Sequence, residues 1–227
     1  NEKEALNKLL QQYTQENELR KIKFKEMRSL MSFTQEIVSD TDFKELNQKF
    51  DAFIVGSDQV WNATMLNKRY FLDYVHPNKI KAAYAPSVGT GYIFRKAIKN
   101  YQKYLSTFNY ISTRETKLQQ TLNEILPIPV EHVLDPSMLI SRAEYEIMAY
   151  YPLDIPKGSY ILCYFMPNNK KEEQKVRAYA ACHSLHIVSM TMFSYSYTLN
   201  NAIIYASAGP REYLGLISNA AVVMTSS

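Results

Sequence analysis

The chain's 227 residues are 46% hydrophobic and 21% charged, a globular balance that excludes a disordered chain and fits one large domain or two small ones. Its formal net charge is +4, with basic and acidic residues mixed along the sequence. No block of like charges marks a nucleic-acid footprint, whereas a small positive balance suits an anionic small-molecule substrate.

Residues 2–31 place Leu6, Leu9, Leu10, Tyr13, Leu19, Ile22, Met27 and Leu30 at spacings near three and four, among lysines and glutamates. That pattern predicts an amphipathic helix, or two helices broken near 14–17. Ala52-Phe53-Ile54-Val55, ended by Gly56, reads as a buried strand. Residues 70–72 and 82–85 are two further short strand candidates, the second closed by Pro86. A helical stripe spans 91–105, a strand follows at 109–111, and a helix covers 114–125. The next strand, 131–134, ends on Asp135-Pro136.

Residues 151–158 contain Pro152, Pro156 and Gly158 and mark the clearest boundary in the chain. Beyond it the alternation restarts with a strand at 160–165, a helix at 171–184 with Val176, Tyr179 and Ala180 inward, and a strand at 186–190. A short strand at 203–205, a helix opened by Pro210 in the tolerated first turn, and a last strand at 221–224 complete the pattern. Strands alternating with helices predict parallel sheets in an α/β fold, here two Rossmann-like domains. Residues 1–151 form the first, with a helical N-terminal segment and without its first strand or strands. Residues 159–227 form an incomplete second domain.

No run of about 18 apolar residues predicts a transmembrane helix, and no signal peptide is visible. Cys163 and Cys182 form no CxxC, and neither they nor His76, His132, His183 and His186 have a metal-ligand spacing. Two thiols without a framework suit a reducing compartment, which we expect to be the cytoplasm. The 18 tyrosines serve either as half-polar core residues or as sugar-stacking surface. The chain opens at Asn1 on helical periodicity and ends at Thr225-Ser226-Ser227 straight after an apolar run, which reads as an internal fragment of a longer protein or as the ordered part of one.

Ligands of open α/β sheets sit beyond the carboxyl ends of strands, so the residues after each predicted strand are the candidates. Gly56 permits a sharp turn; Ser57 and Asp58 then offer a hydroxyl and a carboxylate, or cap the turn themselves. Trp61, the single tryptophan, either stacks on a sugar or plugs the base of the loop. Ser112-Thr113-Arg114-Glu115 has capping-box spacing, with Ser112 capping a helix and Glu115 reaching back. That leaves Arg114 on the first helical turn, where a guanidinium can grip phosphate or carboxylate. Asp135 forms an Asp-Pro turn, orients a sugar hydroxyl or serves as a base.

Phe53-Ile54-Val55-Gly56-Ser57-Asp58-Gln59-Val60-Trp61-Asn62 resembles the signature of the polysaccharide pyruvyl transferase family. Tyr70-Phe71-Leu72-Asp73-Tyr74 with Lys81-Ala82-Ala83-Tyr84-Ala85-Pro86-Ser87-Val88-Gly89, then Ser112-Thr113-Arg114-Glu115, then Leu134-Asp135-Pro136-Ser137, resemble its further blocks in order. The likeness covers about residues 50–140, and 160–165 and 219–227 agree more loosely. It implies a two-domain, GT-B-like transferase that moves a pyruvyl group from phosphoenolpyruvate to a sugar of a cell-surface polysaccharide, as a cyclic ketal. It implies no cofactor and no metal, a glycan or lipid-linked sugar as acceptor, and at most peripheral membrane association. It assigns substrate binding to Arg114, Ser57, Asp58, Ser112, Glu115, Asp135 and Trp61. The family's Ser-Phe-His-Gly block would continue where this sequence stops. The expected catalytic histidine thus lies beyond Ser227, and residues 1–227 are expected to be inactive by themselves. Two other readings stay open, a GT-B-type glycosyltransferase using a nucleotide sugar and a non-catalytic family member.

Overall fold

The computed structural model describes residues 2–155, 157–164, 170–190 and 202–225. In chain order its elements are α1 (Glu2–Ser29), α2 (Asp40–Lys49), β1 (Ala52–Val55), β2 (Ile80–Ala83), α3 (Ile98–Leu105), β3 (Tyr110–Thr113), α4 (Thr116–Ile125) and β4 (Val130–His132). Then follow α5 (Arg142–Met148), β5 (Tyr160–Tyr164), α6 (Lys170–His183), β6 (His186–Ser189), β7 (Ala202–Ile204), α7 (Pro210–Asn219) and β8 (Val222–Thr225). The fold is mixed α/β, with two parallel four-stranded sheets. The chain divides into two compact units, Thr34–Ser141 and Asn1–Phe33 with Arg142–Ser227. No helix among the described residues is long and apolar enough to cross a membrane.

The sheet of the 34–141 unit has the order β1-β2-β3-β4, each strand parallel to its neighbour. Steps that always move in the same direction, each right-handed, bring the crossovers to one face. The burial pattern agrees. Phe53 and Val55 are buried while Ile54 is 71% exposed, and Ile111 is buried while Tyr110 is 68% exposed. The 52–55 strand is therefore half-buried rather than wholly buried. On the covered face Leu46 of α2, Tyr101 and Leu105 of α3, and Leu118 and Leu122 of α4 join Phe53, Val55, Ala83, Ile111 and Val130 in one core.

Residues 70–72 are not a strand. Lys68–Phe71 is a 3-10 helix whose N-cap Asn67 accepts from the Arg69 N–H, and Leu72 ends it in the left-handed region at φ 51°. The curl turns Phe71 inward, where it stacks on Trp61 at 5.6 Å between ring centroids and meets Tyr101 edge-on. The helix predicted across 91–105 begins only at Ile98, after a 3-10 turn over Arg95–Ala97.

In the other unit α1 is unbroken, because neither Pro nor Gly interrupts 14–17. Its Leu19, Ile22 and Leu30 stay exposed, against the expectation of a buried apolar stripe. Two of its described side chains attach it within the unit through polar groups. Lys23 Nζ pairs with the buried Glu212 at 2.7 Å and lies over the Tyr205 ring, and Glu16 accepts from the Ser207 N–H at 3.1 Å.

The second sheet has the order β7-β6-β5-β8, all parallel. The chain walks outward from β5 to β7 and returns across to β8, so its crossover helices cover opposite faces. Val176 and Ala180 of α6 pack with Ile161, Cys163 and Ile187, as the sequence predicts for Val176 and Ala180. Leu216 of α7 packs with Tyr160, Leu162 and Val188. Pro210 occupies the first turn of α7, where its missing N–H costs nothing. Phe165 of the predicted 160–165 strand lies outside the described residues.

Gly215 faces residues 150–151, where a Cβ would sit 2.2 Å from the Tyr150 carbonyl oxygen. Gly215→Ala is expected to destabilise the protein by about 2 kcal/mol through overpacking, read as a lower urea midpoint at unchanged m. An unchanged midpoint would show that the 150–151 segment yields.

Candidate functional site

Because the first sheet is all-parallel, its four strands deliver their carboxyl ends to one edge. The segments leaving that edge are 56–58, 84–89, 114–115 and 133–137, and each is set by local geometry. Gly56 has φ 128°, and a Cβ there would lie 1.9 Å from the Tyr84 carbonyl oxygen. Only glycine lets the end of β1 pass so close to the continuation of β2. The Gly56-Ser57 peptide is cis, and Asp58 follows in the left-handed region at φ 56°. The Asp58 carbonyl accepts from the Ser87 N–H at 2.7 Å, and the Ser87 carbonyl accepts from the Trp61 N–H at 3.1 Å. These bonds lace the segment after β1 to the segment after β2.

Asp135 is the centre of the arrangement. It caps the 3-10 helix Pro136–Met138, its Oδ1 accepting from the Ser137 N–H at 3.0 Å and the Ser137 hydroxyl at 2.7 Å. Its Oδ2 accepts from the Ser57 hydroxyl at 2.8 Å and from an Arg114 NH1 at 2.6 Å. The Ser137 N–H foremost, then the Ser137 hydroxyl, with Ser57 and Arg114 adding to them, hold the Asp135 carboxyl well below the usual carboxylate range. Arg114 also places its other terminal nitrogen 3.7 Å from Asp58 Oδ1, an ion pair without a hydrogen bond. The Arg114 side chain is 29% exposed and that of Asp58 88%. His132 Nε2 lies 3.2 Å from the Arg114 carbonyl oxygen.

Ser57, Asp58, Arg114 and Asp135 thus converge, as expected of strand-end residues. Trp61 does not join them. It is fully buried, its face is taken by Phe71, and its Nε1–H donates to the Tyr70 carbonyl at 3.0 Å, so it plugs the loop and has no ring surface for a sugar. Ser112 is buried too. Its hydroxyl donates to the Ala83 carbonyl at 3.1 Å and accepts from the Ala85 N–H at 3.2 Å, bracing the left-handed Ala85. The capping box predicted at 112–115 is not formed. The N-cap of α4 is Glu115 itself, without a side-chain cap, and Arg114 lies just before the helix rather than in its first turn. Glu115 Oε1 instead accepts from the Ser87 hydroxyl, while its Oε2 is buried without a partner. Ser87 and Ser137 are site residues that sequence reasoning passed over. Ser137 was findable, because Asp-Pro-Ser is an Asx-turn pattern that aims the serine N–H at the aspartate.

Cys163 is buried away from this site. Burial pushes the Cys163 thiol up to about 12. Among the described residues no group of three or more His, Cys, Asp and Glu side chains is placed to hold a metal ion. What the cluster offers is a partly exposed arginine anchored on one side, with N–H groups to spare for an anion.

A family model described as polysaccharide pyruvyl transferase matches residues 3–227. Comparison with curated proteins and with solved structures gives no match.

Ser112→Ala is expected to cost about 2 kcal/mol, because it strands the N–H of the fully buried Ala85. Loss of that much in a urea melt checks it. The depressed Asp135 carboxyl implies stability that is present above about pH 4, the ordinary carboxylate value, and is lost as pH falls through its lower folded value. The destabilisation by Asp135→Asn is therefore expected to be largest at neutral pH and to shrink between about pH 4 and pH 2. A difference in midpoint that stays constant would show that the charge contributes nothing.

Proposed function

Since the chain belongs to the polysaccharide pyruvyl transferase family, we propose that it transfers the pyruvyl group of phosphoenolpyruvate to a sugar, forming a cyclic ketal, with Arg114 as a grip on the donor. The observation that carries this reading is the state of Arg114 at the carboxyl end of β3. One terminal nitrogen is tied to Asp135, and the side chain remains partly exposed beyond it. Phosphoenolpyruvate carries a phosphate and a carboxylate, either of which a guanidinium fork can take through two parallel hydrogen bonds. Asp58, on an exposed side chain 3.7 Å away, is the group an arriving anion displaces from Arg114.

The reaction sets its own demands. A proton is added to C3 of the enol, one sugar hydroxyl bonds to C2 and loses its proton, and a second hydroxyl displaces phosphate to close the ring. Of the two hydroxyl protons, one balances C3 and the other leaves with phosphate. Cationic hydrogen-bond donors at the phosphate favour its departure. No electron transfer is involved, so we assign no organic cofactor, and none of these steps demands a metal.

The order β7-β6-β5-β8 is, in chain sequence, third-second-first-fourth, the order of the first four strands of a doubly wound nucleotide-binding sheet. It supports a Rossmann-like reading of that unit, and we extend the reading to two such domains of the GT-B type. With phosphoenolpyruvate as donor we place the reaction in the cytoplasm, on a glycan or lipid-linked sugar, the latter met peripherally at a membrane.

Binding tests the donor assignment directly. Saturating phosphoenolpyruvate is expected to raise the melting temperature by about 5 °C, and Arg114→Ala to weaken that binding about 100-fold. Incubation of the full-length protein with labelled phosphoenolpyruvate and a panel of glycans is expected to yield a labelled ketal. Stabilisation by nucleotide sugars and not by phosphoenolpyruvate would replace this reading with a glycosyltransferase.

A further inference from the structure

The geometry points to Asp135 as a positioning residue that fixes the guanidinium of Arg114 and itself touches neither donor nor acceptor. A carboxylate has about four lone-pair sites. Both sites on Oδ1 are filled by Ser137, through its N–H at 3.0 Å and its hydroxyl at 2.7 Å. Both sites on Oδ2 are filled, by the Ser57 hydroxyl at 2.8 Å and Arg114 NH1 at 2.6 Å. A sugar hydroxyl finds no vacant acceptor there, and a proton enters only by breaking one of these bonds. The same donors hold the carboxyl well below its ordinary range, which makes it a poor base at neutral pH. Orientation of a sugar hydroxyl and base catalysis, the two chemical roles its sequence context leaves open, are thereby removed.

What remains is its effect on Arg114. A guanidinium has five N–H donors, and the contact with Asp135 is its one side-chain hydrogen bond among the described residues. The Asp58 carboxylate, at 3.7 Å, is too distant to count as another. One anchored corner turns a long, freely rotating side chain into a fork with a set direction. The anchor is itself held from separate strand ends, Ser57 after β1 and Ser137 after β4, so the register of the sheet sets the aim of the arginine. The inference rests on the proposed donor site for what Arg114 binds, and on the hydrogen bonds alone for how Arg114 is held.

The test uses the Nε–Hε signal of Arg114 in 15N-labelled protein, assigned by its loss in Arg114→Ala. The wild type is expected to give an order parameter near about 0.85 and Asp135→Asn one below about 0.6. Ser57→Ala and Ser137→Ala, which keep the carboxylate, are expected to fall between. Equal order in the wild type and Asp135→Asn overturns the inference, and if Asp135→Asn does not fold, equal order in the wild type and Ser137→Ala does so. Phosphoenolpyruvate titrations on the same samples give the coupling. Asp135→Asn is expected to weaken binding about 10-fold, and the double variant with Arg114→Ala to bind no worse than Arg114→Ala alone. Additive losses would mean that Asp135 touches the ligand itself, which also overturns the inference. If the wild type does not bind phosphoenolpyruvate, the donor assignment fails, and the order parameters still decide the positioning role.

Discussion

The hydrogen bond from Ser57 to Asp135 joins the ends of two strands that stand at opposite edges of a four-stranded sheet. Strands in a sheet are spaced at about 4.8 Å, so the segments that carry these residues must fold inward over the ends of β2 and β3. Everything polar at that edge follows from this closure. Asp135 takes Arg114 from the end of β3, and the Asp58 backbone takes Ser87 from the segment after β2. The bond is one between a charged acceptor and a neutral donor, of the stronger kind. It survives at a partly exposed position because the same carboxylate is pinned from its other side by Ser137.

The closure rests on a hydrophobic floor. Trp61, Phe71, Tyr101 and Phe108 are packed edge to face and face to face beneath the strand-end segments. The Tyr101 hydroxyl donates to the Trp61 carbonyl, so the aromatic cluster holds the backbone of the loop as well as its side chains. The tryptophan matters to the site through this floor. Losing it would remove the support under the loop that carries Ser57 and Asp58 without altering either side chain.

Most strands and helices were legible, because parallel α/β strands are short apolar runs and their helices carry clear stripes. Val176 and Ala180 of α6 and Pro210 of α7 fell where periodicity and first-turn chemistry put them. Residues 70–72 misled for a physical reason. Tyr-Phe-Leu has strand composition, but the caps at Asn67 and the left-handed Leu72 close a 3-10 turn around it. At the site, convergence of Ser57, Arg114 and Asp135 was legible from their places after strands. Their roles were not, because the Ser112 and Glu115 spacing fits a cap equally well. Here the partner of each lies far along the chain, in Ala83 and Ala85 for Ser112 and in Ser87 for Glu115. No local pattern announces a bond of that kind.

Ser57 and Asp135 are 78 residues apart in sequence. Closing so long a loop costs chain entropy that the intervening strand pairings must first offset. The Ser57–Asp135 bond therefore assembles with the last of the sheet rather than ahead of it. A slip by one residue in either edge strand moves Ser57 or Asp135 out of reach of the other. The bond consequently reports on the register of the two edge strands, which the helical content of the chain does not.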